Sequence, residues 1–241
     1  MSEKQITKRE QKIEKCAYCS KLASTTKDHI PSKNLFPTGM GPKNPIIVPS
    51  CSKCNQGFSL DEEWFRIYVC ALAEENSFYA RQVFFSQVKR SIQKKPQIGH
   101  KLLKRMKVVE IRTKSGLYLG KATQIEPTEE DWRRFRNVLD KYTKGLVFHE
   151  LGAILPTEYK IKHCIFLTEE HTLDIMARTK ELKWNTDNDG IFIYGFNFIQ
   201  GTHKSIWITI FYNSVLCESL VYTERDLMKL GIGLLPINSV Y

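Results

Sequence analysis

The sequence predicts an α+β protein in which a metal-stapled N-terminal segment precedes a mixed region of helices and antiparallel strands. Between Cys16 and Asn55 the residues Gly, Pro, Ser, Thr and Asn are frequent, and no long periodic apolar run occurs. Such a segment has too little apolar volume for a core of its own, so something else must hold it together. After residue 59, helical spacing of apolar residues alternates with runs rich in Ile, Phe, Tyr and Val. This change of period indicates helices mixed with strands.

Helices are predicted on both sides of the basic middle of the chain. Residues 2–15 show a short helical pattern, and Ser59 followed by Glu62 is typical of a capping box before a second helix. A helix over 77–95 ends before Pro96, which cannot continue it. Thr128 begins another helix, and 169–181 reads as helical.

Strand signals dominate the second half. Residues 107–125 predict a hairpin around a Lys-Ser-Gly turn, and further strands are expected over 161–168, 191–200 and 205–221. Turns are expected at 187–190 and 201–204. We divide the chain into a module over 1–75, a basic helical segment over 76–106 and an α+β C-terminal domain over 107–241.

Composition excludes several classes of protein. The sequence contains no stretch of 18 apolar residues, so no membrane span is predicted. The first 15 residues lack the apolar core of a signal peptide. We therefore expect a cytoplasmic protein without a membrane partner. In a reducing compartment, closely spaced cysteines more often bind metal than form disulfides.

Two cysteine pairs predict a structural zinc site. Cys16 and Cys19 form one Cys-x-x-Cys turn, and Cys51 and Cys54 form another after a spacer of 31 residues. Each turn presents two thiolates to one ion, and two turns complete a closed tetrahedral shell of four sulfur atoms. The three other cysteines lie in apolar runs and are expected to be small buried hydrophobes: these are Cys70, Cys164 and Cys217.

Between the cysteine pairs lies Asp28-His29-Ile30-Pro31, and Asn55 directly follows the last cysteine. A hard divalent cation prefers oxygen ligands, which Asp28 and the amide oxygen of Asn55 can supply. Histidine has a pKa suited to a base near neutral pH. Alternation along a strand would send Asp28 and His29 to opposite faces.

This arrangement resembles the HNH, or ββα-metal, nuclease family, in its four-cysteine zinc variants of the endonuclease VII type. The resemblance covers residues 14–68. It implies a ββα-metal module in which Asp28 and Asn55 bind a catalytic Mg²⁺ or Mn²⁺ and His29 is the general base. It also implies a place among bacterial or phage restriction and anti-phage defence nucleases. The middle asparagine of the family pattern has no counterpart in register, so the group that orients His29 is left open.

The segment from Arg81 to Arg112 contains ten basic residues against Glu110 alone. A charge run is usually a solvated surface, but this imbalance favours contact with the phosphates of DNA, with RNA as an alternative. The residues assigned to this contact are Lys89, Arg90, Lys94, Lys95, Lys101, Lys104 and Arg105. Core packing is the simpler explanation for the nearby aromatic residues, which are Phe78, Tyr79, Phe84 and Phe85. Likewise, Glu62 and Glu63 are interpreted as charges at a helix N-terminus rather than as catalytic groups.

These inferences together predict a metal-dependent endonuclease that hydrolyses DNA. The alternative is a zinc-dependent nucleic-acid-binding or partner-binding protein without catalysis. A protein partner or a homodimer through the C-terminal domain is compatible with either hypothesis.

Overall fold

The N-terminal part of the chain folds as an antiparallel hairpin followed by helices. The computed structural model describes residues 15–21, 23–42, 44–166, 179–186 and 190–226. Strand β1 (Thr26–Ile30) pairs with β2 (Ile46–Ser50), so that Asp28 lies opposite Val48. Helix α1 (Ser52–Gly57) follows at once, and α2 (Ser59–Ala73) continues beyond Phe58.

The basic segment is helical but not uniform. Helix α3 (Phe78–Val83) begins where the Ser77 hydroxyl accepts a hydrogen bond from the Ala80 N–H. A π-helical turn (Phe84–Val88) then leads into α4 (Lys89–Lys94). Pro96 ends this helix and opens α5 (Pro96–Leu103), where its missing N–H is not needed.

A two-stranded ribbon and a long helix follow. Strands β3 (Met106–Arg112) and β4 (Tyr118–Ile125) form the predicted hairpin, and helix α6 (Glu129–Leu151) comes next. Helix α6 begins after Thr128, as predicted, and its first turn has a capping box, in which the side chains of Thr128 and Asp131 each accept an N–H of the other residue. Gly152 ends the helix with a φ of 63°, a backbone conformation that suits glycine.

A five-stranded antiparallel sheet completes the described structure, with strand order β5-β9-β8-β7-β6. Its strands are β5 (Tyr159–Phe166), β6 (Lys183–Thr186), β7 (Phe192–Phe198), β8 (Ser205–Phe211) and β9 (Val215–Thr223). The expected single strand over 205–221 is therefore two strands. A turn at Tyr212 and Asn213, both at positive φ, separates them. The sequence did not predict this turn, because the aromatic residues Phe211 and Tyr212 are typical of strands.

One core joins the N-terminal helices to this sheet. Phe65 of α2 packs against Phe135 of α6 and Phe211 of β8, with ring centroids 4.4 and 5.1 Å apart. The Tyr212 hydroxyl donates to the carbonyl of Leu35, 2.5 Å away. Removing one such buried ring costs about 3–5 kcal/mol. The hairpin module therefore packs on residues far along the chain and shares their core.

The predicted fold class is confirmed at the level of a mixed α+β protein with antiparallel sheets and a four-cysteine cluster near the N-terminus. The prediction of a capping box at Ser59 was wrong, because the N-cap residue of α2 is Phe58, which has no side-chain cap. Cys164 is exposed rather than buried. Phe78 and Phe85 are also exposed, so core packing does not explain them.

Three predicted elements fall mostly outside the described residues: the lead-in helix over 2–15, the helix over 169–181 and the turn over 187–190. No helix within the described ranges is long and apolar enough to cross a membrane.

Candidate functional site

The four predicted zinc ligands come together at the open end of the hairpin. The sulfur atoms of Cys16, Cys19, Cys51 and Cys54 all lie within 4.8 Å of one another. The Sγ atoms of Cys19 and Cys51 are 4.0 Å apart. A Zn–S bond of about 2.3 Å places the sulfur atoms of a tetrahedron about 3.8 Å apart, so the spacing fits one ion.

The backbone also favours this cluster. Cys51 is the N-cap of α1, and its sulfur accepts the Cys54 N–H at 3.4 Å. Burial and the three neighbouring sulfur groups raise the pKa of the Cys54 thiol. A bound cation would reverse that effect because zinc binds thiolates. The cluster therefore fits a structural metal such as zinc, and four protein ligands leave no open coordination position.

Asp28 and His29 occupy opposite faces of β1. Asp28 is buried, whereas His29 is partly exposed and lies opposite Ile47, which is itself exposed. Both residues lie inside the regular strand, so the side-chain alternation of a strand separates them. The structure does not bring the predicted metal ligand and the predicted base together on one face.

The inward face of β1 meets a buried ion network. The Lys141 ammonium of α6 is 2.7 Å from Asp28 Oδ2 and also contacts Glu62 of α2. The Tyr18 hydroxyl donates to the same Asp28 oxygen at 2.9 Å. The Ser32 hydroxyl donates to Glu62. The network thus joins the zinc loop, the hairpin, α2 and α6.

Lys141 is the most deeply buried charged residue of this network. Its side chain is 1% exposed, and its ammonium lies 5.7 Å from the Tyr18 ring centre and 5.6 Å from that of Phe58. A buried ammonium requires anionic partners because its desolvation is costly. Burial and the nearby Asp28 carboxylate raise the pKa of Tyr18, so this hydroxyl stays protonated and donates.

As arranged, Asp28 does not fit a divalent cation. Its Oδ2 accepts from Tyr18 and faces the Lys141 ammonium, and its Oδ1 accepts the His29 N–H at 2.9 Å. The Lys141 ammonium already supplies a positive charge to this carboxylate. A Mg²⁺ or Mn²⁺ ion at Asp28 would have to displace that ammonium.

Asn55 lies against the beginning of β1. Its Nδ2 donates to Thr26 Oγ1 at 3.2 Å and reaches the Lys27 carbonyl at 3.5 Å. Thr26 shares the inward face of β1 with Asp28, two residues away. Asn55 therefore sits next to the predicted pair but forms no hydrogen bond with either residue.

His29 has the surroundings of an unprotonated imidazole. Partial burial, and then the nearby Lys33, lower the pKa of His29, and Asp28 opposes them only in part. Its ring forms no hydrogen bond with another described residue. The sequence left open which group orients His29. Among the described residues no side chain does so, and the backbone of β1 places the ring.

The basic segment is mostly solvent-exposed. Lys89, Arg90 and Lys94 are exposed, as are Lys101 and Lys104. Lys95 is also exposed but pairs with Glu63 at 2.5 Å, which brings the end of α4 to the beginning of α2. Arg105 differs from the others: it pairs with the buried Asp131 and lies 5.5 Å from the Trp64 ring centre. Its guanidinium therefore has a structural role in this arrangement.

A second cluster, of a serine, a histidine and an aspartate, is structural. His163 Nδ1 lies 2.8 Å from Ser219 Oγ, and its Nε2 lies 2.8 Å from Asp140 Oδ1. Ser219 is 1% exposed, so no substrate reaches its hydroxyl. The cluster ties α6 to the edge strand β5 and its neighbour β9.

Sequence reasoning missed Lys141 and Tyr18. It placed Glu62 correctly in the first turn of a helix but did not predict its contact with Lys141. Lys141 is 113 positions after Asp28 in a helix full of charges, so no local pattern distinguishes it. A comparison with family models, curated proteins and solved structures found no match.

Proposed function

We propose that the chain is a metal-dependent endonuclease of the HNH type that hydrolyses DNA phosphodiester bonds. The observation that carries this proposal is the position of the sulfur cluster. It holds the end of a hairpin whose first strand bears Asp28 and His29, and a helix bearing Asn55 follows directly.

In this proposal His29 is the general base. An imidazole with a lowered pKa is neutral at pH 7 and can accept a proton from an attacking water. Its partial exposure on the outward face of β1 leaves it accessible to a substrate on that side. No step is assigned to a metal at Asp28, because Lys141 holds that carboxylate.

DNA is the proposed substrate and partner because of the exposed basic residues of α4 and α5, which are Lys89, Arg90, Lys94 and Lys101. Lys and Arg bind the phosphate backbone without reading sequence. The ion pair between Lys95 and Glu63 connects this surface to the residue next to Glu62, and so to the Asp28 network. RNA presents the same phosphates and is the alternative substrate.

The experiment is a nicking assay on supercoiled plasmid with Mg²⁺, with Mn²⁺ or with no added divalent ion, and without a chelator, which would also remove the zinc. We expect nicking that requires the divalent ion and is lost in His29→Ala, while bound zinc and thermal stability stay at wild-type values. Lys27→Ala is the matched control, because Lys27 is the other outward-facing residue of β1. Equal nicking by His29→Ala and wild type would disprove the assignment of His29 as the base.

A second function is a zinc-stabilised module that binds nucleic acid or a protein partner without catalysis. The buried ion pair between Asp28 and Lys141 favours this candidate, because it gives the Asp28 carboxylate a structural role. Under this hypothesis the protein nicks no plasmid with either ion. A shift of DNA in a gel would then identify nucleic acid as the partner, and no shift would identify a protein.

A further inference from the structure

The ribbon formed by β3 and β4 (Met106–Ile125) is exposed on both of its faces. Within β3, Val109 alone is partly covered, and Val108 is 71% exposed. Near the turn, Leu117 is 65% and Leu119 is 61% exposed. A surface of this kind usually marks a binding site.

The ribbon receives little support from the rest of the protein. At its base the Glu126 N–H donates to the Arg105 carbonyl at 3.1 Å, and Lys107 pairs with Glu126. Two-stranded hairpins alone are marginally stable in water. A ligand that covers the ribbon would supply the missing contacts.

The charge of this region identifies the kind of ligand. Residues 81–126 contain twelve basic residues and only two acids, Glu110 and Glu126, so this segment alone has a net charge of +10, equal to that of the whole chain. Lys114 at the turn and Lys121 in β4 are exposed and form no ion pair with a described residue. The ribbon is thus the continuation of the basic helices, and the complementary partner is a polyanion.

We propose that this ribbon is an arm that enters the major groove of duplex DNA, with Lys114 and Lys121 on the phosphates. This inference rests on the proposed function, because it takes DNA as the partner. The major groove, about 12 Å wide, admits a two-stranded ribbon. Seven to eight residues per strand give the arm a length of about 24 Å.

The distal end of the arm provides apolar contacts. Leu117, Tyr118 and Leu119 follow the turn, and the Arg112 guanidinium lies 5.5 Å from the Tyr118 ring centre. Apolar side chains contact thymine methyl groups in the major groove. The arm therefore combines two lysines that neutralise DNA phosphates, one in the turn and one in β4, with apolar contacts near the turn.

A second copy of the chain fits this surface less well. Ile111 pairs with Gly120 and Arg112 with Tyr118, so Leu119 is an extra residue that interrupts the register. Such a bulge increases the twist of a strand, and twist together with charged residues discourages edge-to-edge pairing. A strongly twisted ribbon instead suits a helical groove.

The test measures binding of a 30-base-pair duplex by fluorescence anisotropy across a range of salt concentrations, without added Mg²⁺ or Mn²⁺ and without a chelator, so that zinc stays bound. For Lys114→Gln with Lys121→Gln, we expect affinity to fall about tenfold and the salt slope to decrease by about 1–2. For Leu117→Ser with Leu119→Ser, affinity falls several-fold and the slope is unchanged. The full chain is used throughout.

The control variant is Lys160→Gln with Lys180→Gln, two exposed lysines outside this segment, which should bind like wild type. Wild-type binding by both ribbon variants would overturn the arm and leave the nuclease proposal intact. Ribbon-dependent binding without plasmid nicking would support the arm and reject the nuclease. A wild-type dimer that the leucine variant converts to a monomer with unchanged DNA affinity would identify a second copy as the ligand.

Discussion

Replacing Lys141 by Met should destabilise the protein strongly, although no exposed surface changes. Methionine retains most of the apolar stem of lysine and removes only the ammonium. Asp28 and Glu62 would then be left as neighbouring carboxylates without their cation, with side chains only 10% and 12% exposed. Removing one partner of a buried ion pair costs about 3–5 kcal/mol, because the remaining charge is uncompensated.

For a chain of this length, a change of 1 kcal/mol shifts Tm by about 2–4 °C, so we expect a decrease of about 6–20 °C. Differential scanning calorimetry and urea unfolding followed by tryptophan fluorescence would measure it. Arg133→Met, an exposed position on the same helix, is the control and should stay within about 0.5 kcal/mol of wild type.

Adding Asp28→Asn and Glu62→Gln to the Lys141→Met variant tests whether the uncompensated carboxylates cause the loss of stability. The triple variant has no buried charge at this point and should regain part of the lost stability. A single Lys141→Met variant within 1 kcal/mol of wild type would refute the reasoning, since it would mean that water reaches these carboxylates in solution.

Three further predictions address the zinc cluster, the base and the helix packing. Cys51→Ser should abolish the bound zinc equivalent measured by mass spectrometry and lower Tm by roughly 10 °C or more, because the metal replaces a missing core; retention of full zinc would contradict this. The nicking rate should rise with pH as His29 loses its proton, with a midpoint below the ordinary 6.5 because its pKa is lowered; a midpoint above 6.5 would count against His29. Gly145→Ala should cost about 1–3 kcal/mol in urea unfolding, because the added methyl would lie 1.8 Å from Ile30 Cδ1; an unchanged midpoint would show that Ile30 repacks freely.

The local features of the fold were predictable from sequence because local physics determines them. The turn at Gly116, the helix start at Thr128 and the helix break at Pro96 each depend on residues within four positions. The sulfur cluster was predictable for a related reason. A Cys-x-x-Cys turn is a local geometry, and one ion requires two of them.

The surroundings of the site were not predictable in the same way. Whether Asp28 faces a metal or an ammonium depends on which helix packs across β1, and that helix begins a hundred residues later. The short strand β6 was missed because Trp184 is its only large apolar residue. Exposure of Phe78 and Phe85 likewise depends on what the rest of the chain leaves uncovered.

The contacts between the hairpin turn and the second half of the chain also affect folding during synthesis. The Ser32 N–H donates to the Tyr142 hydroxyl, and the Leu35 carbonyl accepts from Tyr212, across 110 and 177 positions. Contacts of such sequence separation form late, because long loops must close first. The segment between the cysteine pairs therefore lacks these partners until most of the chain has left the ribosome. During that interval the segment is held by the zinc cluster, by the pairing of β1 with β2 and by contacts with nearby helices such as that of Ser32 with Glu62. The supply of metal at the time of translation should therefore affect the yield of folded protein.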